Sequence, residues 1–313
     1  MGKESVKVFY SDHFVLPLPE GHRFPMKKYS MLHERVERGG ICENGELRAP
    51  HAVTDEEILR AHDPGYLEKV VAGTLTDKEM RRIGFPWSQR MVERSRRASG
   101  GTLDAARISL SEGIAANLAG GTHHAFADRG EGFCILNDSA IAARALLAEG
   151  LVERVVVLDT DVHQGNGTAS ILRGDPHIFT LSIHGAKNYP FRKEESDLDV
   201  PLPDGAGDNA FLTALGEALE RVLDLEEWDL AIFLAGADPF EGDKLGRLSV
   251  TKSGLAERDR MVLEDCRERG IPLVVTMAGG YARKVEDTVD IHFQTIKRAS
   301  DVLRAERGAL RER

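Results

Sequence analysis

The chain has 313 residues, 42% of them hydrophobic and 29% charged, with a formal net charge of −10. That acidic balance argues against a nucleic-acid binder, which needs a basic field, and no apolar run is long enough to span a membrane. Met1-Gly-Lys-Glu-Ser5 leads into no apolar stretch of the secretory type, and Cys42, Cys134 and Cys266 are odd in number, widely spaced and in no CxxC pair, which predicts a cytoplasmic setting without a disulfide framework or a thiolate zinc site.

In chain order, Val6–Tyr10 reads as a first strand, and the proline-rich stretch Leu16–Pro25 as a loop. Helical periodicity covers Tyr29–Arg38, Asp55–Ala61 and Tyr66–Ala72, and Thr76 or Asp77 is placed to cap another short helix. Two longer helices are expected over Pro86–Ala98 and Leu103–Leu118. The basic clusters Arg94-Ser-Arg-Arg97 and Arg304–Arg313 read as solvated helix faces. From Asn137 onward helices and strands alternate. Helices fall on 138–149, 168–172, 209–223, 255–269 and 286–304, and strands on 154–158, 177–183, 230–235 and 272–277. That alternation predicts a doubly wound, mostly parallel α/β sheet flanked by helices in three layers, forming a single domain over residues 1–313.

Sites in such folds form where the carboxyl ends of the strands give way to loops. Four predicted strands end in polar groups. Asp159, Asp161 and His163 follow the first, Ser182 and His184 the second, Asp238 the third, and Tyr281 the fourth, after Gly279 and Gly280. Asp161 and His163, two apart on an extended chain, share one side, and a carboxylate with an imidazole is a donor set for a divalent metal. His123 and His124 add a histidine pair just before the segment Gly132–Asp138.

Gly120-Gly-Thr-His-His-Ala125, Gly132-Phe-Cys-Ile-Leu-Asn-Asp138, Asp159-Thr-Asp-Val-His-Gln-Gly-Asn-Gly167, Gly236-Ala-Asp-Pro-Phe-Glu-Gly-Asp-Lys-Leu-Gly246 and Gly279-Gly-Tyr281 occur in the order found in the histone deacetylase family. The chain resembles that family from about Tyr10 to Ile296. With Gln164 after His163 and Glu20–Met26 near the start, it is most similar to the class IV branch and its bacterial relatives. The resemblance implies the arginase/deacetylase fold and removal of an acetyl or longer acyl group from an amine. It implies Zn2+ held by Asp161, His163 and Asp238, with Fe2+, Co2+ or Mn2+ as alternative occupants. His123 and His124 are implied as the tandem histidines, oriented by Asp159 and Asn166, and Tyr281 as the oxyanion donor. Gly132, Phe133, Phe191 and Leu245 are implied as the substrate tunnel, Phe191 being preferred to Tyr189 as the ring opposite Phe133. A K+ site is implied at Asp159, Asp161, His163, Ser182 and Ile183. An acylated lysine, a polyamine and a small-molecule amide all match as substrates.

Three features stay open at this level. His22 and Arg23 fit either a structural role or a rim or product-channel role, His184 either a structural bond or a site wall, and Asp63, shifted next to a proline, is a candidate for the rim acid that many deacetylases carry. Ala278 stands where many relatives have glycine, which is harmless if its φ is negative. His13, His33, His51, His62, His177 and His292 belong to no constellation, Asp243 reads as a loop brace, and Cys134 as packing. Competing readings are a two-metal ureohydrolase, for which Gly236-Ala-Asp-Pro239 is one aspartate short, and a non-catalytic acyl-lysine binder, against which Tyr281 and both tandem histidines stand.

Overall fold

The computed structural model describes residues 6–42 and 46–311; the Met1–Ser5 segment and the last two residues of the basic tail lie outside them. The elements run β1 (Lys7–Phe9), α1 (Lys28–Arg38), β2 (Leu47–Arg48), α2 (Asp55–Leu59), α3 (Pro64–Ala72), α4 (Asp77–Ile83), α5 (Gln89–Glu112), β3 (Ile114–Asn117), α6 (Asp138–Ala148), β4 (Val155–Asp159), α7 (Asn166–Leu172), β5 (Ile178–Gly185), β6 (Leu198–Leu202), α8 (Asp208–Leu223), β7 (Leu230–Leu234), α9 (Lys252–Glu268), β8 (Leu273–Thr276) and α10 (Val285–Arg311). The strands form one eight-stranded sheet in the order β2-β1-β3-β8-β7-β4-β5-β6. Every pairing is parallel.

Strand alternation sorts the core into two layers. Val156, Leu158, Ala231 and Phe233 face a cluster built from α1, α8, α9 and α10, including Leu32, Phe211, Leu215, Val262 and Ile296. Val155, Val157, Leu230, Ile232 and Leu234 face the other cluster, built from α2, α3, α5, α6 and α7 with Ile58, Leu67, Leu103, Ile141 and Leu172. Each large side chain removed from water in this way contributes roughly 1.5–3 kcal/mol. Apolar side chains on both faces explain why the central strands read as unbroken hydrophobic runs.

Several elements differ from expectation. The two helices expected on either side of Gly100 are one, α5, followed by the unexpected strand β3. Gly100 does not break the helix. It lets the helix touch the segment before α2, since a Cβ there would lie 1.9 Å from the His51 carbonyl oxygen. Ile114-Ala-Ala-Asn117 looked like a helix tail because alanine favours helix, yet all four residues are buried between β1 and β8. β2 is only two residues long. β6 carries Pro201 and lies at the sheet edge, where a missing N–H is tolerated. Thr76 caps α4 in a reciprocal box with Glu79.

Candidate active site

The sheet order places β3, β8, β7, β4 and β5 side by side, so the loops leaving their carboxyl ends converge. The loop after β3 carries His123 and His124. Its shape is held by Asp138 at the start of α6, which is fully buried. The Asp138 carboxylate accepts the Gly121 and Thr122 backbone N–H groups at 2.9 and 2.7 Å, and the Thr102 and Thr122 hydroxyls at 2.6 and 2.5 Å. The histidine loop is thereby tied to α5.

Asp159 closes β4, and Asp161, His163 and Asn166 follow before and at the start of α7. His123 donates from Nδ1 to Asp159 Oδ2 at 2.7 Å, and His124 donates from Nδ1 to Asn166 Oδ1 at 2.6 Å. The Asn166 amide nitrogen donates to Glu131 at 3.3 Å, which fixes its orientation. The rings lie 4.2 Å apart, but their environments differ. Burial works against charge on His123, and the carboxylates of Asp159 and Asp161 outweigh it, lifting the ring to about 9. Burial, reinforced by His123 and His163, pushes His124 well below the ordinary imidazole value, because its partner is a neutral amide. His124 therefore keeps a free lone pair on Nε2.

Asp161, His163 and Asp238 are buried, and their donor atoms all lie within 4.8 Å of one another. His163 Nδ1 is 2.9 Å from Asp161 Oδ1 and 3.2 Å from Asp238 Oδ2. A single ring hydrogen cannot serve both, and Asp238 Oδ2 has no hydrogen-bond partner among the described residues. Two buried carboxylates converging on one imidazole demand positive charge. Burial opposes a proton on His163, yet the two aspartates raise the ring to about 10, while burial and Asp161 push Asp238 up to about 7. An oxygen-rich, net-negative donor set with an orphaned carboxylate oxygen suits a divalent cation. Gly279 makes room for it. A Cβ there would sit 1.9 Å from Asp238 Oδ2, and the Gly279 N–H instead donates to Asp161 Oδ2 at 2.7 Å. Behind Asp238, the wholly buried Arg258 is paired with Asp259 at 2.7 Å and donates to the Gly236 carbonyl, anchoring the start of that loop.

Tyr281 follows β8. Its backbone N–H donates to Asp243 Oδ2 at 2.6 Å, and Asp243 also accepts the Leu245 and Gly246 N–H groups at 2.7 and 3.0 Å. Asp243 is thus a loop brace, and one that also fastens the tyrosine. The Tyr281 hydroxyl makes no hydrogen bond among the described residues. Burial, together with Asp238 and Asp161, holds the phenol well above its usual value, so it remains a donor. Ala278, just before, has φ +50°, in the left-handed region, contrary to the sequence-based condition on its backbone. Replacement by glycine should remove that strain: Ala278→Gly is expected to raise stability by about 1 kcal/mol in urea unfolding. A lower midpoint would mean that the lost methyl packing dominates.

These groups line a cavity of about 430 Å³, together with Gly132, Phe133, Tyr189, Phe191 and Leu245. Gly132 and Phe133 both have positive φ (+56° and +67°), which turns the Phe133 ring toward Phe24 (5.2 Å), Phe85 (5.3 Å) and Tyr281 (6.1 Å). The preference for Phe191 as the facing aromatic does not match the geometry. Phe191 is 86% exposed at the mouth, whereas the Tyr189 ring reaches inside, 5.1 Å from His124. The Tyr189 hydroxyl bonds Glu131, the same carboxylate that orients Asn166, so a half-buried tyrosine can turn inward there with its polar end satisfied. Glu131 carried no sequence signal beyond its position before Gly132. Ser182 and Ile183 are buried on β5, Ser182 in register with Asp159.

The open features resolve. His22 braces the rim, donating to the Gly84 carbonyl at 2.9 Å and accepting the Phe24 N–H at 3.1 Å. Arg23 lines the cavity. His184 bonds Ser182 at 3.1 Å and does not line the pit. Asp63 sits at the N-cap of α3 and is not in the wall either. Gln164 is engaged by Glu194 and Asp199. Lys28, which gave no signal, is 2% exposed with its Nζ 5.3 Å from the Tyr281 ring and 3.4 Å from the Ala278 and Gly280 carbonyl oxygens. Arg94 is not on a solvated face: it is half-buried, stacks on Tyr29 at 4.6 Å and lines the cavity. Burial raises the Cys42 and Cys266 thiols to about 12, which marks them as inert packing. No described helix is long and apolar enough to cross a membrane.

An all-parallel sheet with flanking helices, and a polar pit at its carboxyl edge, define the arginase/deacetylase fold. The solved structure of a histone deacetylase homologue from Aquifex aeolicus superposes with a TM-score of 0.81 at 24% identity, covering 96% of this chain and 88% of that one. The histone deacetylase domain matches residues 22–296, and the chain belongs to that family. It is 43% identical to an uncharacterized protein of Picosynechococcus sp. over 94% of this chain and 98% of the relative. It is 30% identical to the acetoin utilization protein AcuC of Bacillus subtilis over 80% of this chain and 70% of that protein. Membership makes it a hydrolase of the deacetylase type.

Proposed function

We propose that the protein is a metal-dependent amidohydrolase that removes an acetyl or longer acyl group from a primary amine carried on an extended chain, such as an acyl-lysine. The observation that supports this most is the convergence of the Asp161, His163 and Asp238 donor atoms within 4.8 Å, on the floor of a pit shared with His123, His124 and Tyr281. A divalent ion such as zinc held by those three residues would supply a Lewis acid for the amide carbonyl and acidify a water to a pKa of about 7.

The side chains account for the proton and charge movements. His124, neutral and with Nδ1 committed to Asn166, takes the proton of the attacking water on Nε2 and returns it to the departing amine. His123, held cationic by Asp159, adds positive charge 4.2 Å away and discourages a resting proton on His124. The Tyr281 phenol, with no hydrogen bond among the described residues, donates to the oxygen that becomes negative. Phe133 and Tyr189 give the pit two aromatic surfaces for a methylene chain. Asp159 and Ser182, with Asp161, His163 and Ile183, would belong to a potassium site.

A panel of acyl-lysine substrates of increasing acyl length tests this, run after complete metal removal and after reconstitution with Zn2+, Fe2+, Co2+ or Mn2+. Turnover is expected only with metal, at one ion per chain. Full activity without metal, or a requirement for two ions per chain, would sink the proposal.

A further inference from the structure

The side chains around the mouth of the pit carry a charge sign opposite to that of the whole molecule. The protein is net −10, yet the cavity wall includes Arg23, Arg81, Arg82, Arg94, Lys187 and Arg247, while its one acidic lining residue is Asp161 on the floor. Arg247 is paired with Asp204 at 3.3 Å. Among the described residues the other five have no carboxylate partner. Three acids of the surrounding loops and of α4 are engaged elsewhere: Glu131 by Tyr189 and Asn166, Asp243 by three backbone N–H groups, and Glu79 by Lys69.

Arg23, Arg81, Arg82 and Lys187 are exposed along the wall, and Arg94 is half-buried. Arg81 and Arg82 lie in the last turn of α4, whose Arg82 and Ile83 carbonyls accept the Gly132 and Phe133 N–H groups at 3.1 and 2.8 Å, so the backbone that carries the two arginines is fastened to the tunnel wall. The Arg94 guanidinium sits over the Tyr29 ring, 4.6 Å from its centre, half-buried and with no carboxylate partner among the described residues. Asp63, the acid suggested for the rim, is elsewhere.

We propose that the pit selects amides whose portion outside the tunnel bears negative charge, a carboxylate or phosphate group within reach of Arg23, Arg81, Arg82, Arg94 and Lys187. This rests on the deacylase reading. A concave mouth of one sign concentrates and orients substrates of the opposite sign, raising association by tenfold or more, whereas an acylated polyamine brings its own positive charge and is repelled. Acidic residues flanking an acyl-lysine and the free α-carboxylate of an acylated amino acid offer the same chemistry.

The test compares kcat/KM for acyl-lysine peptides of equal length with Glu, Gln or Lys flanks, for free Nε-acyl-lysine against its α-amide, and for an acylated polyamine. The acidic peptide is expected to exceed the neutral one by at least about tenfold at low salt, and the gap should close as ionic strength shortens the screening length to a few ångströms. A larger acid preference in the peptides than between free acyl-lysine and its amide points to a peptide source, and the reverse to a small molecule. In Arg23→Glu, and in Arg81→Glu combined with Arg82→Glu, the acidic-to-neutral ratio within the same variant should fall toward or below one, so any general loss cancels. Fluorescence anisotropy of the labelled peptides on metal-loaded protein reads the same preference without turnover. Equal or inverted preference in binding and rate overturns this inference alone. Preferential binding of the acidic peptide with no turnover of any amide sustains it and overturns the deacylase reading.

Discussion

Tyr281→Phe is expected to lower kcat by about 10²–10³ while leaving substrate KM, metal content and melting temperature near the wild-type values. The change deletes one oxygen. The ring still packs 6.0 Å from Phe24 and 6.1 Å from Phe133, and the backbone N–H still reaches Asp243. No internal hydrogen bond is lost among the described residues, because the hydroxyl has none. What disappears is a donor aimed into the pit, kept protonated by burial and by the neighbouring carboxylates. A variant that retained turnover would remove the phenol from the mechanism. One that also lost its fold would show the ring and not the hydroxyl to be decisive, a distinction that circular dichroism and single-turnover kinetics make together.

On the proposed metal site, Asp238→Asn should cut zinc affinity by at least about a hundredfold and abolish the thermal stabilisation expected from added zinc in the wild type. Asparagine preserves the shape, and its carbonyl can still accept the Val162 N–H that Asp238 Oδ1 takes at 2.9 Å. Only the second oxygen and its charge go, and that oxygen is the orphan near His163. After chelation, the variant is expected to melt no lower than chelated wild type, since it no longer buries a carboxylate oxygen without a partner. Calorimetric zinc titration and melting with and without chelator check both halves. Unaltered zinc binding would place the ion elsewhere. A large drop in the chelated melting temperature would make Asp238 a structural residue first.

The parts of this site that could be read from residues alone are those where chemistry follows a strand. Val155–Asp159 is hydrophobic until its last residue, so the polar run after it announces a strand end, and the same holds near Ser182, Asp238 and Tyr281. The five-strand centre of the sheet turns those separate ends into one place. What escaped reading has specific causes. Tyr189 and Phe191 flank one proline, and only the path of the turn decides which ring goes in. Arg94 has the periodicity of an exposed helix face, and nothing local foretells Tyr29 beneath it. β3 is alanine-rich and short, so its strand character comes from neighbours β1 and β8 rather than from its own residues. Ala278 occupies a left-handed position that its side chain disfavours; the glycine that many relatives carry there hints at it, but the alanine itself does not.

Asp138 carries a practical lesson for anyone mapping such a site by its phenotypes. It is fully buried and absent from the pit wall, yet four donors from the histidine loop and α5 converge on it. Damage there would let that loop sag and carry both imidazoles off target, so a screen scoring product alone would list a scaffold strut among the chemical groups.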